Sequence, residues 1–402
     1  MAGKKRDKVR EQDVEGLKYF DRLAPLLARL HEVGCQRDKA GNRQLHFDQY
    51  CLLVLLFLFN PLVSSLRALQ QASELPKVQR KLGCPRASLG SLSEATDVFD
   101  PERLREILAE LLPQLSPLPS DPRLAEVRQL LTLVDGTLLK ALPQITQAAL
   151  RARSRPSAPD GWRLHTHFEV LRGVPVRMDL TDGRNRGDSN EKAVLRRQLQ
   201  ADRCYVLDRG YEQFSLLNAI VAANSSYVCR IREDRHFQPQ QQRVLSPQDQ
   251  AAGVLADAVG QLGSPKSQRI EHPDHPLRVV RVRIPVHPKR GGGAGEYREV
   301  VVATNLLDVP AEIVALLYHY RWTIEIFFRF FKHVLGCRHL LSHDPVGIEI
   351  QTYCAILACL LISLWTGRKP TLRTYEMICY YFMGWAEEDD LLRHLAKLQP
   401  HG

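Results

Sequence analysis

Two stretches decide the fold: Gln129-Leu-Leu-Thr-Leu-Val-Asp135-Gly136-Thr137 and Cys204-Tyr-Val-Leu-Asp208-Arg209-Gly210-Tyr211. Each is a short apolar run closed by an acid and a glycine. Runs this short, bounded by turn residues, read as buried strands rather than helices. An acid at the end of such a strand stands at the sheet rim, where ligands bind in α/β folds. Either acid alone is more often a turn or helix-cap residue. Working outward, 165–170 and 175–180 flank Arg172-Gly173-Val174, a hairpin signal, and 191–200 has helical spacing. Strands alternating with a helix predict a mixed α/β sheet.

The flanking sequence differs in character. From 14 to 117 apolar residues recur at three-and-four spacing, and Asp100-Pro101-Glu102 is a helix start. Pro117, Pro119, Asp121 and Pro122 then mark a boundary. Between 212 and 310 the pattern is β-rich, with strands expected at 226–232, 277–286 and 297–304 and a loop over the Gln-rich 238–246. One long helix is expected from 310 to 337 and a buried helix at 353–365. The greasiest runs, 51–59 and 353–365, are shorter than the roughly 18–20 residues that cross a bilayer, so no membrane partner is expected. The basic N-terminus leads into no apolar core, so no signal peptide is expected. Nine cysteines, an odd number with no Cys-x-x-Cys pair, read as buried thiols in a reducing, cytoplasmic compartment.

Lys+Arg number 55 against 45 Asp+Glu, a net charge of +10 that makes a polyanionic partner plausible and excludes an acidic solvating chain. Twelve Lys/Arg and six Asp/Glu fall in 140–200, so this excess is concentrated between the two strand-end acids. Arg151, Arg153 and Arg155 and Arg184 to Arg186 have the composition of phosphate-contacting loops. In the expected helix, at about 100° per residue, Tyr318, Arg321, Glu325 and Lys332 fall within a stripe about 60° wide. Phe327 and Phe331 fall on another face, which suits packing. A salt-bridged solvated stripe has the same appearance. His165 and His167 share a strand face, which a two-His metal site would need, but a strand facing the active site or a satisfied pair is the expected reading.

Tyr318-x2-Arg321-x3-Glu325-x6-Lys332 matches the Tyr-Arg-Glu-Lys signature of a branch of bacterial insertion-sequence DDE transposases. Val134-Asp135-Gly136-Thr137 resembles that family's first-Asp motif and Asp208-Arg209-Gly210-Tyr211 its second. Asp208 follows Asp135 by 73 residues and Glu325 follows Asp208 by 117, room for the β-rich insertion of this branch.

The resemblance implies a ribonuclease-H-like mixed sheet flanked by helices, interrupted by a β insertion and preceded by an all-α N-terminal domain. The corresponding division is 1–120 helical and DNA-binding, 121–211 first part of the catalytic core, 212–310 insertion, 311–370 second part of the core, and 371–402 helical. It implies that Asp135, Asp208 and Glu325 are catalytic and hold Mg²⁺ or Mn²⁺, as two ions. Oxygen-only ligands without a His/Cys cluster agree with such hard cations. Arg321 and Lys332 would grip phosphates, Tyr318 would contact the terminal DNA backbone, and Arg209 and Trp322 would face DNA.

Implied partners are the element's inverted-repeat ends, target DNA and a second copy in a synaptic homodimer, at the nucleoid. Members of this branch form a hairpin at the element end and can flip a base with a Trp of the insertion. No tryptophan lies in 212–318 here, so either another aromatic such as Tyr297 takes that role or the hairpin step differs. Residues Lys4 to Arg10 or Lys77 to Arg86 could help to read the ends. Two other readings fit the same residues: an inactive or domesticated DNA-binding protein, and a ribonuclease-H-like nuclease that never joins ends.

Overall fold

The computed structural model describes residues 24–33, 44–115, 117–118, 121–138, 162–263, 272–285, 297–336, 341, 344–366 and 371–397. The N-terminal helices are α1 (Ala24–Leu27), α2 (Phe47–Phe59), α3 (Leu66–Ser73), α4 (Pro76–Leu82), α5 (Leu89–Val98) and α6 (Glu102–Leu111). The strands follow as β1 (Leu130–Leu138), β2 (Trp162–Glu169), β3 (Val174–Asp182), β4 (Arg203–Leu207), β5 (Ser226–Ile231), β6 (Phe237–Gln242), β7 (Val254–Leu262), β8 (Leu277–Pro285) and β9 (Tyr297–Thr304). Between and after them come α7 (Glu191–Arg197), α8 (Phe214–Ala222), α9 (Pro247–Ala251), α10 (Ala311–Tyr320), α11 (Trp322–Gly336), α12 (Pro345–Thr366), α13 (Leu372–Phe382) and α14 (Glu388–Lys397).

All nine strands form one mixed sheet in the order β3-β2-β1-β4-β5-β9-β8-β7-β6. β4 runs parallel to both β1 and β5, while the other pairs are antiparallel. The expected mixed α/β architecture is therefore present. The strands after 212 extend the same sheet edge to edge.

Strand alternation divides the core. Leu131, Leu133, Val206 and Val228 pack on one face with α10, α11 and α12, and Val134, Leu207 and Cys229 pack on the other with α7 and α8. The first face also takes in the N-terminal helices. In α2 every residue except Asp48 is buried, and this helix packs on α12 and α13. The Tyr375 hydroxyl donates to the Leu58 carbonyl (2.5 Å) and Asn60 Nδ2 to that of Phe382 (3.3 Å), closing the contact with hydrogen bonds.

Three expectations change. The Gln-rich stretch is an edge strand, β6, whose side chains from Gln238 to Gln242 are all exposed. Pro239 sits at its register shift, where a missing N–H does least harm to a ladder. The expected single helix over 310–337 is two, α10 and α11, because the Arg321 N–H bonds back three residues to the Tyr318 carbonyl (3.1 Å). The buried helix starts at Pro345 and spans 22 residues. Its window Val346–Ser363 has the length and mean hydropathy (1.8) of a membrane span, yet 89% of it is buried between α2, α5, α6, α11 and β3. Its Tyr353 hydroxyl donates to the Met178 carbonyl on β3 (3.0 Å).

Candidate active site

Parallel pairing of β1 with β4 sets Val134 opposite Leu207, so the next residues, Asp135 and Asp208, stand side by side at the rim. Neighbouring strands lie about 4.8 Å apart. Asp135 shares the parity of Leu131 and Leu133, which face the helices α10 to α12. Asp208 shares that of Cys204 and Val206 on the same face. β1 continues past Asp135 to Leu138 because β2 goes on pairing with it, Thr166 opposite Asp135 and Arg163 opposite Leu138.

α10 and α11 supply the remaining groups. Arg321 keeps helical dihedrals (φ −51°, ψ −31°) at the junction, so the spacing of the stripe survives the break. Its Nη2 donates to Glu325 Oε1 at 2.6 Å. Its guanidinium also lies over the rings of Tyr318 (6.0 Å) and Trp322 (5.6 Å). Arg278 anchors the approach to α10. It is 1% exposed, pairs with Asp257 through two 2.6 Å bonds, and donates to the carbonyls of Leu306 and Val309 just before the helix. Asp249 Oδ1 accepts from the Glu312 N–H at 2.8 Å in the first turn.

The electrostatics tie these groups together. Burial pushes the Asp135 carboxyl up to about 7. The Gly136 N–H and Arg321 oppose that rise, while Asp208 and Glu191 add to it. Burial also works against the Arg321 charge, but Tyr318, Asp208 and Glu325 together hold its pKa above the ordinary value. Burial lowers the Lys332 ammonium, with Asp135 pulling the other way. Burial raises the Tyr318 phenol, and Asp208 raises it further. Asp135, Asp208, Tyr318, Arg321, Glu325 and Lys332 are therefore one electrostatic cluster, half-buried to buried.

Two polar atoms in it, Asp208 Oδ1 and Arg321 Nε, are buried without a hydrogen-bond partner among the described residues, as is the hydroxyl of nearby Tyr211. Unpaired buried polar atoms are costly and ask for an explanation such as an absent ion or ligand.

The other sequence candidates are spread around it. Arg209 is exposed beside Asp208. Trp322 is half-buried, with the Arg298 guanidinium of β9 over its ring at 5.9 Å. Tyr297 is 56% exposed at the start of β9, with Arg283 over its ring. His165 and His167 are buried, their imidazoles depressed by burial to about 4 and 3, and His165 Nε2 lies 2.8 Å from Thr181 Oγ1. Arg184 and Arg186 are exposed in the β3–α7 loop. Lys4 to Arg10 and Arg151 to Arg155 lie outside the described residues. One neighbour escaped the sequence reading: Glu191, the first residue of α7, paired with Arg163.

A family model described as a transposase DDE domain matches residues 128–361, more than half the chain and spanning all three acids. The chain belongs to the DDE transposase family. That family depends on divalent metal ions in general, and the oxygen-only donors here suit such ions. A protein named as a transposase of Sinorhizobium fredii is 25% identical over 240 residues, covering 60% of this chain and 62% of that protein. A transposase named for an insertion sequence element of Geobacillus stearothermophilus is 25% identical over 205 residues, covering 50% of this chain and 48% of the relative. The chain thus spans less than two thirds of the length of either relative. A solved piggyBac transposase synaptic complex with hairpin DNA aligns over 99% of this chain and 88% of that one, at 11% identity and a TM-score of 0.39, a likeness too loose to bear on function.

Proposed function

We propose that this DDE transposase belongs to the Tyr-Arg-Glu-Lys branch, binds the inverted-repeat ends of an insertion sequence, cleaves them and joins their 3′ ends to target DNA. The observation that carries this reading is the in-register parallel pairing of β1 with β4, which sets Asp135 beside Asp208 on the face covered by the Arg321–Glu325 pair. The strand order β3-β2-β1-β4-β5, with only β1, β4 and β5 mutually parallel, supports a ribonuclease-H-like core whose first part runs past 211 to include β5 and which resumes over 311–370, with β6 to β9 between them as the insertion. Residues 1–120 and 371–402 are the flanking helical regions, the first contributing to DNA binding.

Asp135, Asp208 and Glu325 would hold Mg²⁺ or Mn²⁺, as two ions. When bound, such ions activate a water or 3′-hydroxyl and stabilise the leaving oxygen at phosphorus. The chain's own part is to gather acid oxygens where water is scarce and to surround them with cations. Arg321 is pre-oriented by Glu325 toward a phosphate oxygen. Lys332 adds a point charge beside Asp135, and Tyr318 caps the stripe toward the terminal backbone. Arg209, Trp322, Arg298 and Tyr297 continue a cationic and aromatic track from this stripe onto β9, suited to phosphates and to an unstacked base. Two ends must be joined together, so the working form is a synaptic homodimer at the nucleoid.

The test is Asp208→Ala with DNA carrying the element's ends in Mg²⁺. Cleavage and strand transfer should be lost while DNA binding, with its steep salt dependence, is kept. A variant that cuts and joins as well as the wild type would overturn the assignment. Wild-type cleavage that never yields joined product would leave a nuclease instead.

A further inference from the structure

The glycine after the first acid has a specific neighbour. A Cβ on Gly136 would lie 2.5 Å from Glu191 Oε1, and one on Gly210 would lie 3.9 Å from Glu191 Oε2. The Glu191 carboxylate therefore lies where a Gly136 side chain would stand, just past Asp135, with its second oxygen toward Gly210, two residues past Asp208. It arrives from the opposite side of the sheet. Gly136 shares the parity of Val134, which packs with Leu195 of α7 and with Tyr211.

The position is built rather than incidental. Asn190 caps α7, its Oδ1 accepting from the Lys192 N–H at 3.0 Å. The Glu191 N–H donates to Asn185 Oδ1 at 2.9 Å, and Asn190 Nδ2 donates to the Asn185 carbonyl at 3.2 Å. Asn185 holds a left-handed φ of 53° to make both contacts. Arg163 on β2 pairs with Glu191 Oε1, and both side chains are mostly buried. Next to them the Tyr211 hydroxyl, on a residue only 2% exposed, has no partner among the described residues. After burial, the Glu191 and then the Asp135 charges do most to raise that phenol.

We propose that Glu191 is a positioning residue of the cation site: its carboxylate, admitted by the missing side chain of Gly136, supplies a fourth negative charge that strengthens divalent-cation binding by Asp135, Asp208 and Glu325. Arg163 holds that carboxylate in place from the outside, as outer groups orient inner ligands at metal sites. The proposal rests on reading the three acids as the cation site.

The experiment measures Mn²⁺ binding to the full chain by calorimetry, without DNA. Glu191→Gln keeps the shape and an acceptor for Arg163 but removes the charge. It should weaken Mn²⁺ affinity about 10- to 100-fold, the usual effect of losing a supporting group, with DNA retention unchanged. Glu191→Asp should fall between Gln and wild type. Gly136→Ala should act like Glu191→Gln, because the methyl displaces the flexible end of Glu191 rather than backbone. Wild-type Mn²⁺ affinity in Glu191→Gln overturns the proposal and leaves the three-acid reading standing. Mn²⁺ binding that is absent from the wild type, or unchanged in Asp208→Ala, overturns both.

Discussion

Replacing Asp135 by Asn should make the metal-free protein more stable while removing its activity. The folded-state pKa of Asp135 is raised from the ordinary 3.8 to about 7, chiefly by burial. The folded protein therefore holds a proton that the unfolded chain releases between about pH 4 and 7, and stability falls as pH rises through that window. At about 1.4 kcal/mol per tenfold, the rise corresponds to about 4 kcal/mol of cost in keeping the ionised carboxylate at pH 8. Asn does not ionise, and its amide oxygen can still accept from the Gly136 N–H, which now lies 2.8 Å from Asp135 Oδ1. Asp135→Asn should therefore exceed wild type by about 2–4 kcal/mol at pH 8 in chelator and match it within about 1 kcal/mol at pH 5. Urea unfolding at the two pH values measures this. Mg²⁺ at a hundredfold its dissociation constant should return about 2.7 kcal/mol to the wild type and narrow the gap. A variant no more stable than wild type at pH 8, or one whose advantage is the same at both pH values, would refute the claim that this carboxylate is held ionised against its surroundings.

Two further outcomes test the surroundings of the site. Lys332→Met should cut DNA cleavage at least about 10-fold and lower the slope of log affinity against log salt by about 0.9, the value for one phosphate no longer neutralised; an unchanged slope in filter binding would place Lys332 off the DNA. Arg278→Met should cost about 3–5 kcal/mol in urea unfolding, because Asp257, 6% exposed, is left as a buried unpaired charge; a drop under about 1 kcal/mol would show that the pair does not anchor α10.

What could be read from the sequence was what local pattern encodes. Short apolar runs ending in Asp135 and Asp208 gave two strands that the sheet pairs in parallel register, and helical spacing collected Tyr318, Arg321, Glu325 and Lys332 even though the helix breaks at Arg321. β6 was invisible because Phe-Gln-Pro-Gln-Gln-Gln has none of the apolar alternation of a half-buried strand. It exists because β7 offers it an edge, and Gly260 of β7 has no side chain to block the Gln238 carbonyl. Glu191 opens a stretch with helical spacing, where a first-turn acid is favoured by the helix dipole alone. Its meaning lies in a contact with Gly136, 55 residues earlier, which no local period carries. The glycine after Asp135 was the available signal, since a bare backbone often marks a close approach.

The site also explains why so much apolar structure surrounds it. A rim that holds several carboxylates, some partly desolvated, is a standing cost to the fold. The compensation does not come from the rim itself, where the Arg321 charge is buried as well. It comes from the layer behind α11, where Phe327, Phe328, Phe330 and Phe331 are buried against the same core as α12. α12 in turn is covered by α2, whose residues from Leu52 to Phe59 are at most 2% exposed. The N-terminal helices thus complete the core on which the Glu325 helix rests, whatever they also contribute to DNA. An unstable site and an apolar core that runs through both ends of the chain are two sides of one arrangement: rigidity behind α11 is what allows opposed charges to be kept close in front of it.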